Sequence, residues 1–273
     1  MAEFPLPQNP QKLSFFAQIG YYSIEAMAAL HTGNTQAAGA AFGEVVQCWQ
    51  SRPVLISVHP TRYSNALANY LSCHYSLEDE ADFLHALTLA SNTEGLDARA
   101  KTMVRIKTLN LELLNHLNRN RIYFALEIAR QIEAILEKQP GLMEDASEVV
   151  YRYNLGVVYF VNQDYAKAHK KWVHILAFAP KEIRVDIRQA ALFLQWLGYL
   201  ERGELVQFER NMHGVRHRLK QGQTNQGFLL VHRALQQAPD YQLSKAQAQS
   251  LILTLKALSG LGIVEIIRWL EQK

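Results

Sequence analysis

The chain repeats itself. Two amphipathic segments around a short polar turn recur at a period of about 30 to 40 residues, most clearly from Val149 to Glu182, which reads VVYRYNLGVVYFVNQDYAKAHKKWVHILAFAPKE. A period of that size decides the fold before any single element does, because one such unit cannot bury its apolar face alone and must stack on its neighbours. Within the unit the apolar residues keep helical spacing until Asn162-Gln163-Asp164 interrupts them and supplies a turn. Asp164 is placed to cap the second helix with its side-chain oxygen. Pro180 ends that helix, since the residue before a proline is pushed out of the α region. Gly156 and Ala168 fall on the facing sides of the two helices, where their lack of bulk lets the backbones approach, while Tyr159 and Trp172 fill the space above and below.

Leu155-Gly156, then Tyr159, Ala168, Trp172 and Pro180 follow the order and spacing of the tetratricopeptide (TPR) pattern, with Arg152 where an aromatic is usual. Residues 149–182 thus resemble a TPR repeat. Upstream, 19–52 carries His31-Thr32-Gly33-Asn34 as its turn, Ala26 and Ala38 as the small facing pair, Phe42 as the bulky residue, and Pro53 just beyond its end. Three further units match in their turns and apolar rows. They are 61–92, turning at Ser76-Leu77-Glu78-Asp79; 97–140, turning at Asn118-Arg119-Asn120 with Ala125 as the small residue; and 182–221, turning at Arg202-Gly203-Glu204 between Tyr199 and Met212.

The remainder, 225–273, reads as three helices that cap the array: Asn225 to Gln237, Ser244 to Leu258 with Ser244 as N-cap, and Gly262 to Glu271 after a Gly260-Leu261-Gly262 connector. The last has Ile263, Ile266, Ile267 and Leu270 on one face, the pattern of a helix lying on a preceding layer. About thirteen helices and no strand are expected, the β-like run Pro53–Val58 being read as helix or linker. The resemblance implies an all-α, right-handed superhelical solenoid of antiparallel helix pairs. No Gly/Ser/Pro-rich linker interrupts it, so one solenoid is expected over 1–273.

Composition agrees with a helical reading. The 14 Gly and 8 Pro among 273 residues are too few for a many-stranded protein, against the roughly 12% of average usage. With 49% apolar and 19% charged residues the chain can bury a large core. No apolar run approaches the ~20 residues that span a bilayer, and MAEFPLPQNPQK lacks a basic region followed by an apolar stretch. A cytoplasmic protein that does not enter membranes is expected. Cys48 and Cys73 stand outside any metal-ligand spacing and read as reduced core residues. The net charge of +3 conceals an asymmetry: residues 1–97 hold 3 basic and 9 acidic residues, and the rest hold 25 and 16.

Chemistry-bearing motifs are absent: there is no GxGxxG after a strand, GxxxxGK[ST], HExxH, CxxC or GxSxG. GNTQAAGAAFG, Gly33 to Gly43, has no preceding strand and no Lys-Ser/Thr ending, so it reads as close helix packing. Glu209, His213 and His217 recur every four residues on one helical face, a two-histidine edge that needs ligands from elsewhere to hold a metal. They read as part of a solvated basic helix. His169 and His174 flank Trp172 without an evident partner. No enzyme activity, cofactor or metal is expected.

TPR hairpins line a concave groove with the first helix of each pair and bind a peptide or helix there, so the resemblance implies a scaffold or adaptor with a protein or peptide partner. Carried onto this sequence, the groove-facing residues are Tyr153, Asn154, Val157, Phe160 and Val161 in the best repeat, and Ser23, Met27, Leu30 and His31 in the first. In the 182–221 unit they are Phe193, Leu197, Leu200 and Glu201. The set departs from the branch of the family that clamps a C-terminal carboxylate with Lys, Asn and Arg, because only Asn154 fits it. An apolar groove instead suits an amphipathic helix with anchors at i, i+3, i+4 and i+7, or a segment of the same chain. The alternative is a regulatory module that binds nucleic acid or a signalling ligand through Lys167, Lys170, Lys171, Lys181, Arg184, Arg188, Arg210, Arg216, Arg218 and Lys220. Acids interleave these bases and no aromatic row accompanies them. Homo-oligomerisation through the C-terminal helix stays open.

Overall fold

Fourteen α-helices and two 3-10 turns form, with no strand among the described residues. The structure, a computed structural model, describes the chain outside residues 1–6, 8, 77–79, 92–95, 179, 181, 222–225 and 259–260, with backbone alone at 76, 178, 213 and 216–221. The helices are α1 (Phe15–His31), α2 (Thr35–Gln50), α3 (Pro53–Val58), α4 (Pro60–Ser76), α5 (Glu80–Ser91), α6 (Ala98–Asn118) and α7 (Ile122–Lys138). They continue as α8 (Asp145–Val161), α9 (Tyr165–Phe178), α10 (Val185–Glu201), α11 (Leu205–Gln221), α12 (Gln226–Gln237), α13 (Lys245–Lys256) and α14 (Ile263–Leu270). The helix beyond the expected thirteen is α3, the β-like run, which opens on Pro53 at its first turn as a helix start tolerates.

The repeat is written in the backbone. Four hairpin turns close alike, with a left-handed residue at the centre: Gly33 (φ 77°), Asn120 (φ 56°), Gln163 (φ 63°) and Gly203 (φ 70°). In each, the following residue donates its N–H back across the turn, Asn34 to Ala29 (2.8 Å), Arg121 to His116 (2.8 Å), Asp164 to Tyr159 (2.8 Å) and Glu204 to Tyr199 (2.9 Å). This is the Schellman closure, which satisfies carbonyls the helix end leaves orphaned. The same residue then starts the next helix: the Asn34 side chain accepts from the Ala37 N–H at 3.0 Å and Asp164 from the Lys167 N–H at 3.2 Å. Ser244 forms a reciprocal capping box with Gln247. The expected turn at Leu77-Glu78-Asp79 and the connector residue Gly260 lie outside the described residues.

Contacts within the chain cluster into two compact units, Met1–Leu142 and Met143–Lys273. In the first, α1 pairs with α2, α4 with α5 and α6 with α7, and each new pair packs its leading helix on the pair before it. Ala26 and Ala38 are fully buried at the α1–α2 contact, with Phe42, Val46 and Trp49 beside them. In the second, α8 pairs with α9 and α10 with α11, α12 and α13 follow, and α14 returns to pack on α8. Gly156 faces Trp172 there: a Cβ on Gly156 would lie 2.2 Å from the indole nitrogen, which donates to the Tyr153 carbonyl at 3.4 Å. Both cysteines are free, Cys73 buried and Cys48 partly so.

Candidate functional site

The residues that the sequence assigns to a groove fall into two groups. Tyr153, Asn154, Val157, Phe160, Phe193 and Leu197 are all buried. They sit on the leading helices α8 and α10, yet they present no open surface. Phe160 packs on Tyr165 and Trp172, and Phe193 stacks on Phe228 with centroids 4.6 Å apart. Leu200 and Glu201 lie at the end of the same stripe and are partly covered.

The C-terminal helix covers a further part of this face. Gly262 enters against Phe228 and Ala190, and Ile263, Ile266, Trp269 and Leu270 are buried. At the far end Trp269 donates its indole N–H to Glu201 at 2.9 Å, Lys273 pairs with the same carboxylate, and Gln272 meets Gln163 at 3.4 Å. These contacts lay α14 along α8 and α10 from the first turns of α10 to its last. The α8 and α10 stripe is thus covered by other helices of the same unit, α9, α12 and α14.

The first unit has the matching groove open. Along α1, Phe16, Ile19, Ser23, Met27 and Leu30 follow one another at intervals of three and four residues and, with Gly20, line two adjoining cavities of about 390 and 170 Å³. Phe42 and Asn69 line both, so the two lie side by side. The stripe extends about 21 Å at 1.5 Å per residue. Met27 and the neighbouring Ile24 are each 59% exposed and Phe16 is 45% exposed. Helix α2, packed against both α1 and α4, supplies the floor through Phe42, Val45 and Trp49. The opposite wall is polar: Arg62, Asn65, Asn69 and Ser72 project from α4. Arg62 lies over the Phe16 ring at 5.8 Å, and Lys107 from α6 donates to Asn65 at 2.6 Å. Ser23, Met27 and Leu30 were legible in the sequence, while His31 is exposed beyond the cavity. The α4 wall was missed; its signal is the polar spacing of Asn65, Asn69 and Ser72 on a helix whose other face, Tyr63, Leu67 and Leu71, is core.

Several of the remaining candidates are engaged within the chain, while Lys170 and Arg210 are exposed. Gln195 lies 3.1 Å from the His169 ring nitrogen, and burial, followed by Arg202, lowers the His169 pKa. His174 lies 3.6 Å from Glu148, which also pairs with Arg152 at 2.6 Å. Glu209 accepts from the Tyr241 hydroxyl at 2.9 Å, and the His213 and His217 side chains lie outside the described residues. Of the basic set, Lys167 pairs with Asp164 and Arg184 with Asp186, while Arg188 donates to the Ile175 and Leu176 carbonyls. Lys181 and the side chains of Arg216, Arg218 and Lys220 lie outside the described residues. No described helix is long and apolar enough to cross a membrane. Compared with known proteins, the chain matches no family model and no curated protein.

Proposed function

We propose that this chain is a TPR-like interaction module, a cytoplasmic scaffold or adaptor rather than an enzyme, that takes an amphipathic helix of a partner protein into the groove between α1 and α4. The right-handed superhelical winding of its hairpins belongs to the same proposal. One observation carries the reading: the apolar stripe of α1 stands open beside two adjoining cavities, while the corresponding face of α8 and α10 is covered by the chain itself, in part by an amphipathic helix. The groove fits a helix by shape and polarity. Its apolar floor and α1 wall receive the anchors of a ligand helix, and the α4 amides meet the polar flank. About 21 Å accommodates roughly four helical turns.

The variant Ser23→Arg, Met27→Glu, Leu30→Glu tests the assignment, because none of the three is buried and the fold should survive. A photo-reactive residue at Ile24 should crosslink, in the native host, to a partner segment with apolar residues at i, i+3, i+4 and i+7. In the folded triple variant the crosslink should fall by at least tenfold. An unchanged crosslink in that variant, or a crosslinked segment without the pattern, removes the groove from consideration.

A further inference from the structure

The helix that closes the α8/α10 face fits it incompletely. Helix α14 has eight residues, too few to hold its shape without a seat. Its apolar residues Ile263, Ile266, Ile267 and Leu270 stand at i, i+3, i+4 and i+7, the spacing of a groove-bound ligand helix. Between them it carries Glu265 into the seat. Burial raises the Glu265 pKa, with a hydrogen bond from its own backbone and then Arg268 opposing. On α8, against which α14 packs, the Tyr153 hydroxyl is buried without a hydrogen-bond partner, and burial, followed by the charges of Glu265 and Asp186, raises its pKa. The buried hydroxyl has no partner and the Glu265 carboxylate is taken from water with only partial compensation, so this part of the seat is poor for polar groups. The firm polar anchors lie at the other end, where Glu201 holds Trp269 and Lys273.

We infer that α14 is a removable occupant and that the α8/α10 face is a second helix-docking site, whose partner is an amphipathic helix repeating the α14 pattern with a neutral hydrogen-bonding side chain in place of Glu265. Such a helix keeps every apolar anchor and takes no carboxylate out of water. In the free chain the tether holds α14 at a high effective concentration, so the site opens only to a better-fitting competitor. This site is independent of the α1/α4 groove.

The probe is a fluorescent peptide of residues 262–273 carrying Glu265→Gln, titrated by anisotropy against the full chain. The unmodified chain should bind it weakly. The full chain with Ile266→Glu, whose own α14 is unseated, should bind at least tenfold more tightly, and a peptide with Ile266→Glu and Trp269→Glu should bind neither. Should Ile266→Glu lose its helical circular dichroism, the milder Trp269→Phe, which removes the indole bond to Glu201 from the chain's own α14 and leaves Glu201 to the peptide, should still tighten binding several-fold. Equal binding by the unmodified chain and a folded variant overturns the proposal. Retained binding in the Ser23→Arg, Met27→Glu, Leu30→Glu chain locates the peptide away from the α1/α4 groove, whereas its loss there overturns this site and leaves the other standing. Amide exchange on the unmodified chain gives an independent reading: α14 should open while α8 and α10 stay protected, and equal protection of all three also overturns it.

Discussion

Gly156 and Glu265 show how single residues set the second unit. A Cβ at Gly156 meets three atoms of the Trp172 indole within 2.8 Å, and Trp172 is itself fully buried, so the ring has no free space to retreat into. Gly156→Ala should therefore cost about 2 to 3 kcal/mol, the range of overpacking in a tight core, measured by urea denaturation. An unaltered midpoint would mean that the two helices part more easily than their packing implies. Glu265 acts through charge. Its folded pKa is raised by burial, so the folded chain holds the proton more firmly than the unfolded one, and stability falls as pH rises from the ordinary glutamate range through the shifted value. A hydrogen bond from its own backbone and the charge of Arg268 on the same helix oppose the shift without cancelling it. Glu265→Gln should stabilise the chain at pH 7 by at most about 1 kcal/mol, and the gain should vanish below about pH 4, where the wild-type carboxyl is neutral in both states. Thermal melts across that interval decide it, and a gain that persists at pH 4 would exclude the charge as its cause.

At the scale of elements, the four Schellman turns differ in how well their central residue suits the left-handed conformation. Gly33 and Gly203 suit it, Asn120 tolerates it, and Gln163 bears a side chain at φ 63°, a region that costs an L-residue about 1 kcal/mol. Gln163→Gly should stabilise the α8–α9 hairpin by roughly that amount, less the weak exposed contact with Gln272, and a chemical denaturation midpoint that falls instead would show that the contact matters more. These turns explain why so much of the fold was legible. Polar interruptions such as Asn162-Gln163-Asp164 and Arg202-Gly203-Glu204 are local signals, as are the Asp164 and Ser244 caps, and a local signal survives in a single sequence. What was not legible is tertiary. The stripe Tyr153, Val157 and Phe160 has the same periodicity whether it faces a groove or a covering helix, so nothing local tells that α14 returns to cover it. The α4 wall of the open groove was hidden for a related reason, since Asn65, Asn69 and Ser72 look like any solvated helix face until α1 is seen across from them.

For the molecule as a whole, each compact unit carries a buried core of its own: Ala26, Phe42, Trp49 and Leu67 belong to the first, and Trp172, Phe193, Trp196 and Phe208 to the second. Hairpin arrays derive their stability from each unit and its nearest neighbours, so cooperativity need not extend over the full length of such a chain. Two unfolding transitions are therefore expected in urea, one per unit. Gly156→Ala provides the means of assigning them, because its clash is confined to the α8–α9 contact. It should lower one midpoint and leave the other in place. Probes reading each unit separately, such as amide exchange at Val46 and at Trp196, should then lose protection at different denaturant concentrations. A single transition that moves as a whole with Gly156→Ala would mean that the two cores unfold as one cooperative body, and the groove on α1 would then depend on packing faults as distant as the seat of Trp172.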